Sequence, residues 1–309
     1  IQRASEGRDT PLFEVVKPDE GIKQGLALLP PHSDLDVFFD IEGFPLDDGG
    51  LEYLWGNSYF EVSVTGQRGE RKFKDFWAHN RDQEKQCFKD FIEWVYARWQ
   101  QDPSMHIYHY ANYEIAACRK LMSRYGVCEH EVDQLLRNDV FVDLYKLVKN
   151  GLLIGEPRYS IKNVEHLYRG ARETEVGNGG DSVVVYENWR ELNAQGVEGD
   201  TWQTSKILND IRDYNIDDCD STQELVDWLR IQQAEYNIAY IGSSDVSEPE
   251  LTEAKAEEIN ARTQLRDQLL VRAESEQAIN PEQAQLTENL AWMLEFHRRE
   301  AKPVFWRLF

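Results

Sequence analysis

Two acidic residues at the end of an apolar segment are the first candidates for chemistry in this chain. Residues 38–43 read FFDIEG. Side chains two residues apart on a strand point to the same face, so Asp40 and Glu42 would project together. Adjacent carboxylates repel each other unless they are paired or share a cation, and hard oxygen ligands suit Mg²⁺ or Mn²⁺. Two solvated acids at a strand end are the alternative for this motif alone.

The second candidate is a tyrosine and an acid on one helix face. Residues 214–222 read YNIDDCDST, in which Tyr214 and Asp218 are four residues apart and therefore share one side of a helix. Apolar residues at helical spacing before and after this segment would anchor the helix. The alternative is an acidic, solvated helix turn, and this is our interpretation of Asp217 and Asp220.

A third candidate, Glu114, lies where a strand runs into a helix. Residues 107–114 read IYHYANYE, which predicts a short strand, a polar turn and the start of a helix. The helix dipole stabilises a carboxylate in the first turn, and helix electrostatics alone could explain Glu114. His109 could bind a metal, but a hydrogen-bonded core histidine is the simpler interpretation.

These candidates need a sheet to carry the first acids and helices to bring the others to it. Apolar runs bounded by polar or turn residues predict strands at 35–41, 52–64, 70–78 and 106–109, and a short strand or extended segment at 140–144. Helical spacing of apolar residues predicts helices at 82–100, 113–125, 160–169, 182–194 and 203–236, and a further helix that ends near Gly151. The first three strands suggest an antiparallel meander. Alternating helices and strands follow, and this pattern predicts a mixed α/β sheet with helices on its faces.

The 309 residues divide into three predicted regions. Residues 1–34 contain four prolines and read as a lead-in or linker. Residues 35–232 hold every candidate above and form the predicted catalytic domain. Residues 233–309 form a predicted helical extension, with a break at 242–250 and charged helices at 251–276 and 281–300. The chain begins with Ile and ends on an apolar segment, and we expect it to be part of a longer protein.

Composition narrows the function classes. The net charge of −22 argues against a general nucleic-acid binder, because phosphate contacts need Lys and Arg. It does not exclude a nuclease, because divalent metals neutralise an acidic site and net charge does not describe a local patch. The four cysteines form no CxxC pair, which argues against zinc or iron–sulfur centres. No apolar run is long enough for a membrane span and no secretory signal opens the chain, so we expect a cytoplasmic protein.

The order and spacing of the three acidic motifs resemble those of the DEDD exonuclease superfamily. Asp40 and Glu42 resemble its first motif, and Tyr214 with Asp218 resembles its third motif in the tyrosine form, the DEDDy branch. In the histidine form a His stands five residues before the last acid, a position occupied here by Asp213. The resemblance implies a ribonuclease-H-like fold, with three antiparallel strands followed by parallel ones, and a C-terminal helical extension beyond it.

The second motif departs from the family pattern. The superfamily has an Asp after an aromatic residue, whereas this chain has Tyr113 and Glu114. The longer side chain moves the carboxylate, but Glu114 can still complete the ligand set. Asp143 resembles an acid that is frequent on the following strand, and the resemblance implies a supporting role for it.

Substrate contacts are expected around the later helix start. Residues 160–163, SIKN, resemble a Ser-Leu-Lys segment of these folds, where Arg158 and Lys162 could meet phosphate. Tyr110 and Tyr113 could stack on a terminal base. Solvated charges and simple burial are the alternatives for these four residues.

Together the resemblances imply a metal-dependent 3′–5′ exonuclease. Two Mg²⁺ or Mn²⁺ ions would be held by Asp40, Glu42, Glu114 and Asp218 for phosphodiester hydrolysis, and Tyr214 would orient the attacking water. The expected partner is nucleic acid, DNA or RNA, with a single-stranded 3′ end.

A narrower resemblance points to a larger protein. Residues 109–114, 214–222 and 297–300 are similar to a subgroup found in large bacterial proteins that join a RecB-like nuclease region to a superfamily 1 helicase. The chain has no GxxxxGK[ST] segment, so a covalently linked helicase region would lie outside it. Two other functions stay open, namely a catalytically weak or inactive domain for nucleic-acid binding or scaffolding, and a structure-specific endonuclease on the same fold.

Overall fold

The computed structural model describes residues 10–62, 68–170, 179–242, 253–277 and 279–293. The chain divides into two compact units, residues 1–243 and 244–309, which are described separately. Within the described ranges, no helix combines the length and the apolar character that a membrane crossing requires.

A five-stranded mixed sheet carries the first unit. In chain order the strands of this unit are β1 (Phe13–Val15), β2 (Val37–Phe44), β3 (Leu51–Val62), β4 (Arg68–Trp77), β5 (Ile107–His109), β6 (Phe141–Asp143) and β7 (Leu152–Ile154). The order in the large sheet is β4-β3-β2-β5-β6. The β2–β3 and β3–β4 pairs are antiparallel, and the β2–β5 and β5–β6 pairs are parallel. This topology confirms the predicted mixed sheet.

Helices flank the sheet. They are α1 (Arg81–Gln101), α2 (Tyr113–Tyr125), α3 (Glu129–Arg137), α4 (Leu144–Gly151), α5 (Ile161–Val164), α6 (Gly179–Ala194) and α7 (Lys206–Glu235), with 3-10 turns at Gly25–Leu28 and Glu165–Leu167. Side-chain caps explain where the two longest begin, because Asn80 accepts from the N–H of Gln83 and Ser205 accepts from that of Leu208.

Strand β2 is apolar on both faces because both faces are covered. Phe39 stacks on Phe91 of α1, with ring centroids 4.4 Å apart. Phe38, which points to the opposite face, stacks on Tyr108 of β5 at 5.6 Å. Asp40 and Glu42 share the face of Phe38, and this face is the one on which α7 lies.

A small second sheet lies within the same unit. β1 pairs antiparallel with β7, and Phe13 is opposite Ile154. Gly25 has φ of +57°, and a Cβ atom there would lie 2.7 Å from the Cα of Gly151, so the segment before β2 packs directly on the end of α4. The predicted boundaries at residues 34 and 232 stay predictions.

The sequence signals located most elements of the first unit. Helix α2 begins and ends where the sequence predicts it, and the six other long predicted helices and strands differ by up to three residues at either end. Helix α3 and strands β1 and β7 were not predicted. Each of these two strands has three residues, too few to show alternation. The predicted segment 160–169 splits into α5 and a 3-10 turn.

Some sequence features fall outside the described residues. They are positions 65–67 of a turn that the sequence predicts at 65–69, positions 171–178 of a Gly-rich loop that it predicts at 171–181, positions 243–250 of the predicted break, and the segment 297–300. In the second unit, α8 (Glu253–Glu276) and α9 (Pro281–Met293) pack against each other, consistent with the predicted helical extension.

Candidate active site

Three of the predicted metal ligands meet between β2 and α7. One carboxylate oxygen from each of Asp40, Glu42 and Asp218 lies within 4.8 Å of the other two, and they form the one such acidic group in the described part of the chain. Glu42 and Asp218 are buried, and Asp40 is half-buried. Asp218 on the helix follows Glu42 on the strand by 176 residues in the chain, and the fold brings it into one acidic cluster with both strand residues.

Asn215 holds one of these carboxylates. Its Nδ2 donates a hydrogen bond to Oδ2 of Asp40 at 2.7 Å, and its side chain is fully buried. The amide lies against Gly56 of β3, where a Cβ atom would be 1.6 Å from Oδ1 of Asn215. The approach of α7 to the sheet at this point therefore depends on a glycine.

Glu42 lies in an environment that opposes its charge. Burial and the neighbouring charge of Asp218 raise its pKa to about 8. Two groups oppose this shift, a hydrogen bond from Oγ of Ser182 to Oε2 at 2.7 Å and the charge of Lys162. Ser182 belongs to α6, so a second helix reaches the cluster.

Glu114 lies apart from the group of three. It is buried beside His109, whose Nδ1 is 3.3 Å from Oε2 of Glu114. Beyond this contact, neither ring nitrogen of His109 nor this oxygen has a hydrogen-bond partner among the described residues. Burial raises the pKa of Glu114, and the imidazole opposes that shift. Its charge contributes to the raised pKa of Glu42, but its assignment as a fourth ligand stays a prediction.

Asp143 organises the backbone around the second motif. Its Oδ1 accepts hydrogen bonds from the N–H of Ala111 at 2.9 Å and from that of Tyr145 at 3.0 Å. It therefore caps α4 and ties down the turn between β5 and α2. Ala111 in that turn has φ of +73°, a conformation that costs energy for a residue with a Cβ. The predicted supporting role of Asp143 is compatible with these contacts and stays a prediction.

Tyr214 and Lys162 approach each other beside the cluster. Nζ of Lys162 lies 5.1 Å from the ring centroid of Tyr214, which is buried. Because Lys162 also acts on the charge of Glu42, a cation from α5 stands at the edge of the acidic group. Arg158 is exposed three residues before α5.

The two tyrosines predicted to contact substrate differ in their surroundings. Tyr110 donates a hydrogen bond to the carbonyl oxygen of Tyr159 and is partly buried. This contact holds the loop between β7 and α5. The ring of Tyr113 is half exposed, while its hydroxyl donates to Oε2 of Glu52 at 2.6 Å. A fixed, accessible ring of this kind suits stacking better.

The two further acids of the third motif are paired, and the prediction that they are solvated was wrong. Asp217 binds Arg169 at 2.7 Å, and Asp220 binds Arg71 at 2.8 Å and accepts from Oγ of Ser58. Their ion pairs hold α7 to neighbouring elements, which separates them from the cluster around Asp218.

The donor set of the cluster fits a divalent cation. Three carboxylate oxygens this close repel one another in a buried setting, and a divalent ion removes that repulsion. Ligation by oxygen atoms alone suits hard cations such as Mg²⁺ and Mn²⁺. The cluster has no thiolate or imidazole ligand of the kind that typical zinc sites use.

Three residues around the cluster were not found from the sequence. Asn215 follows Tyr214 directly and could have been noticed as a polar residue on the inner face of the helix. Gly56 interrupts a strand-forming run, a pattern that often marks close approach of another chain segment. Ser182 had no signal, because it lies 140 residues from its partner.

A family model described as the RNase_H superfamily matches residues 37–230. The match begins at the first residue of β2 and ends within α7, so it includes all three residues of the acidic cluster. No curated protein and no solved structure matches this chain.

Proposed function

This chain belongs to the RNase_H superfamily, and from that membership we propose that it is a metal-dependent 3′–5′ exonuclease of the DEDDy branch. The observation that carries the proposal is the cluster of Asp40, Glu42 and Asp218, with ligand oxygens within 4.8 Å of one another. Family membership supports a nuclease, a hydrolase that acts on nucleic acid. The direction of degradation rests on the resemblance of the Tyr214 and Asp218 pair to the third motif.

The residues divide the chemistry among them. Asp40, Glu42 and Asp218 would hold two Mg²⁺ or Mn²⁺ ions, and Glu114 would complete the set after a shift of its side chain. Bound metal would supply positive charge at the scissile phosphate and lower the pKa of the attacking water. Tyr214 would orient that water through its hydroxyl. Lys162, already next to Tyr214 and Glu42, would contact a phosphate oxygen of the substrate.

Substrate binding would use the accessible residues near the cluster. The half-exposed ring of Tyr113 would stack on the terminal base, and exposed Arg158 would meet the phosphate backbone. We assign a single-stranded 3′ end as substrate and a helicase region of the same polypeptide as the source of that strand, following the resemblance to nuclease–helicase proteins.

The test is a degradation assay on single strands labelled at the 5′ or the 3′ end, with Mg²⁺ or Mn²⁺. We expect stepwise shortening of the 5′-labelled strand and early release of the 3′ label, both lost in Asp40→Ala and Asp218→Ala. Asp217→Ala is the matched control, because that neighbouring acid is paired with Arg169 outside the cluster. A strand with a blocked 3′ end should resist, and its cleavage would instead indicate an endonuclease.

One observation favours a second function. Glu114 is buried against His109 instead of lying in the group of three, which suits a catalytically weak domain that binds nucleic acid or serves as a scaffold. Such a domain would bind single strands in Mn²⁺ without shortening them, and Glu114→Asp would not create activity. Activity gained by Glu114→Asp would favour the exonuclease.

A further inference from the structure

We infer that Asn215 is a positioning residue that fixes the carboxylate of Asp40 for metal binding; the inference rests on the proposed function. The amide orientation follows from chemistry. A carboxylate only accepts hydrogen bonds, so the NH₂ group of Asn215 must face Oδ2 of Asp40 across the 2.7 Å contact. Oδ1 of Asn215 has no hydrogen-bond partner among the described residues, so Asp40 is the partner that sets the amide orientation.

The surrounding structure leaves room for this contact. Gly56 lies opposite Asp40 in the β2–β3 register and is flanked by Trp55 and Asn57 in a twelve-residue strand. A glycine weakens a strand interior, and here it creates the space that the Asn215 amide occupies. The same helix carries Asn215 and Asp218, so this bond ties the strand carboxylate to the helix carboxylate.

The hydrogen bond from Asn215 should raise the affinity of the cluster for metal. A donor on one oxygen fixes the plane of the Asp40 carboxylate, and it does so without adding a charge to a cluster that is already repulsive. Hydrogen-bond partners of ligating side chains typically account for about 10- to 100-fold in metal affinity. Asn215 is therefore expected to lower the metal concentration at which the cluster is filled, and to have little influence once the metal is saturating.

The experiment follows thermal unfolding of the chain across a Mn²⁺ titration. Asn215→Leu keeps the side-chain volume and excludes a water that could replace the amide, and Asn215→Ala is a second variant if the first misfolds. The matched control is Asn57→Ala. Asn57 is equally buried on β3, but it points to the other face and donates to the carbonyl oxygens of Trp55 and Lys74. Asp40→Asn should abolish the Mn²⁺ response.

We expect the Mn²⁺ concentration for half-maximal stabilisation to rise about 10- to 100-fold in the Asn215 variants. In Asn57→Ala the metal-free unfolding temperature should fall while that concentration stays the same, which separates a positioning role from a general loss of packing. Unchanged concentrations in both Asn215 variants, with a normal response of the unmutated chain, would overturn this inference and leave the proposed function standing. If Mn²⁺ did not stabilise the unmutated chain at all, both this inference and the proposed function would be contradicted.

Discussion

Gly56 of β3 stands directly opposite Asp40 of β2 in the antiparallel register. A Cβ atom on Gly56 would lie 1.6 Å from Oδ1 of Asn215 and 2.9 Å from Cζ of Phe73. The second of these atoms belongs to the partly buried ring of Phe73, which has the guanidinium of Arg212 5.0 Å from its centroid. Because Gly56 has no side chain, β3 leaves room for the Asn215 amide beside Asp40 on the neighbouring strand.

The first prediction concerns this glycine. Gly56→Ala should displace the Asn215 amide, destabilise the fold by about 1–3 kcal/mol through overpacking, and weaken stabilisation by Mn²⁺. Gly170→Ala is the control, because a Cβ atom there would have no atom of the described residues within 4 Å. Urea unfolding with and without Mn²⁺ measures both effects. If Gly56→Ala had the same stability and the same response to Mn²⁺ as the unmutated chain, the contact between α7 and the sheet would not be tight.

The second prediction concerns the cost of the cluster. Asp218 is the second-largest cause of the raised pKa of Glu42, after burial. Above about pH 8, where Glu42 loses its proton, removal of the Asp218 charge should therefore stabilise the metal-free fold, while it abolishes metal binding. We expect Asp218→Asn to gain about 1 kcal/mol in EDTA in this pH range.

Asp217→Asn is the paired variant in this comparison. It removes an ion pair with Arg169 of 2.7 Å, in which both side chains are less than one-fifth exposed, and it should lose up to about 1 kcal/mol. Chemical denaturation in EDTA measures both changes. Equal effects of the two substitutions would mean that Asp218 experiences no special repulsion.

The third prediction is a pH dependence. The pKa of Glu42 is raised from 4.5 to about 8 in the fold, so between these values the folded chain keeps a proton that the unfolded chain releases. The resulting stabilisation is complete below about pH 4.5 and is lost as the pH rises through about 8. Since one pKa unit corresponds to about 1.4 kcal/mol, the loss is on the order of a few kcal/mol.

Unfolding in EDTA between pH 5 and 9 measures this slope, and Glu42→Gln should flatten it. Metal and proton compete for the same carboxylate, so stabilisation by Mn²⁺ should grow over the same range in the unmutated chain. If Glu42→Gln kept the slope, the titrating group would be a different one.

The fourth prediction concerns backbone strain near the second motif. Ala111 has φ of +73°, which glycine adopts without a steric cost. Ala111→Gly should stabilise the fold by about 0.5–1 kcal/mol. Ala116→Gly, at an exposed position inside α2, should instead cost about 1 kcal/mol. Thermal unfolding of the two variants measures both changes. The unfolding temperature should rise in Ala111→Gly and fall in Ala116→Gly.

Local sequence patterns were sufficient to predict the mixed sheet and most of its helices. The apolar run of β2 and the helical spacing in α7 are local patterns, and they placed Asp40, Glu42 and Asp218 on elements of the correct type. The spacing of Tyr214 and Asp218 follows from helix geometry alone. Such features need no knowledge of which elements are neighbours.

The side chains that surround those acids could not be identified before the packing of the helices on the sheet was known. Asn215, Gly56 and Ser182 join the cluster because α7 and α6 pack on one face of β2 and β3, and contacts across 140 or more residues leave no periodic trace in the chain. Glu114 lies against His109, five residues earlier at the end of β5, and outside the group of three. Local pattern sets which face a residue takes, whereas the distances between carboxylates depend on how helices dock on the sheet.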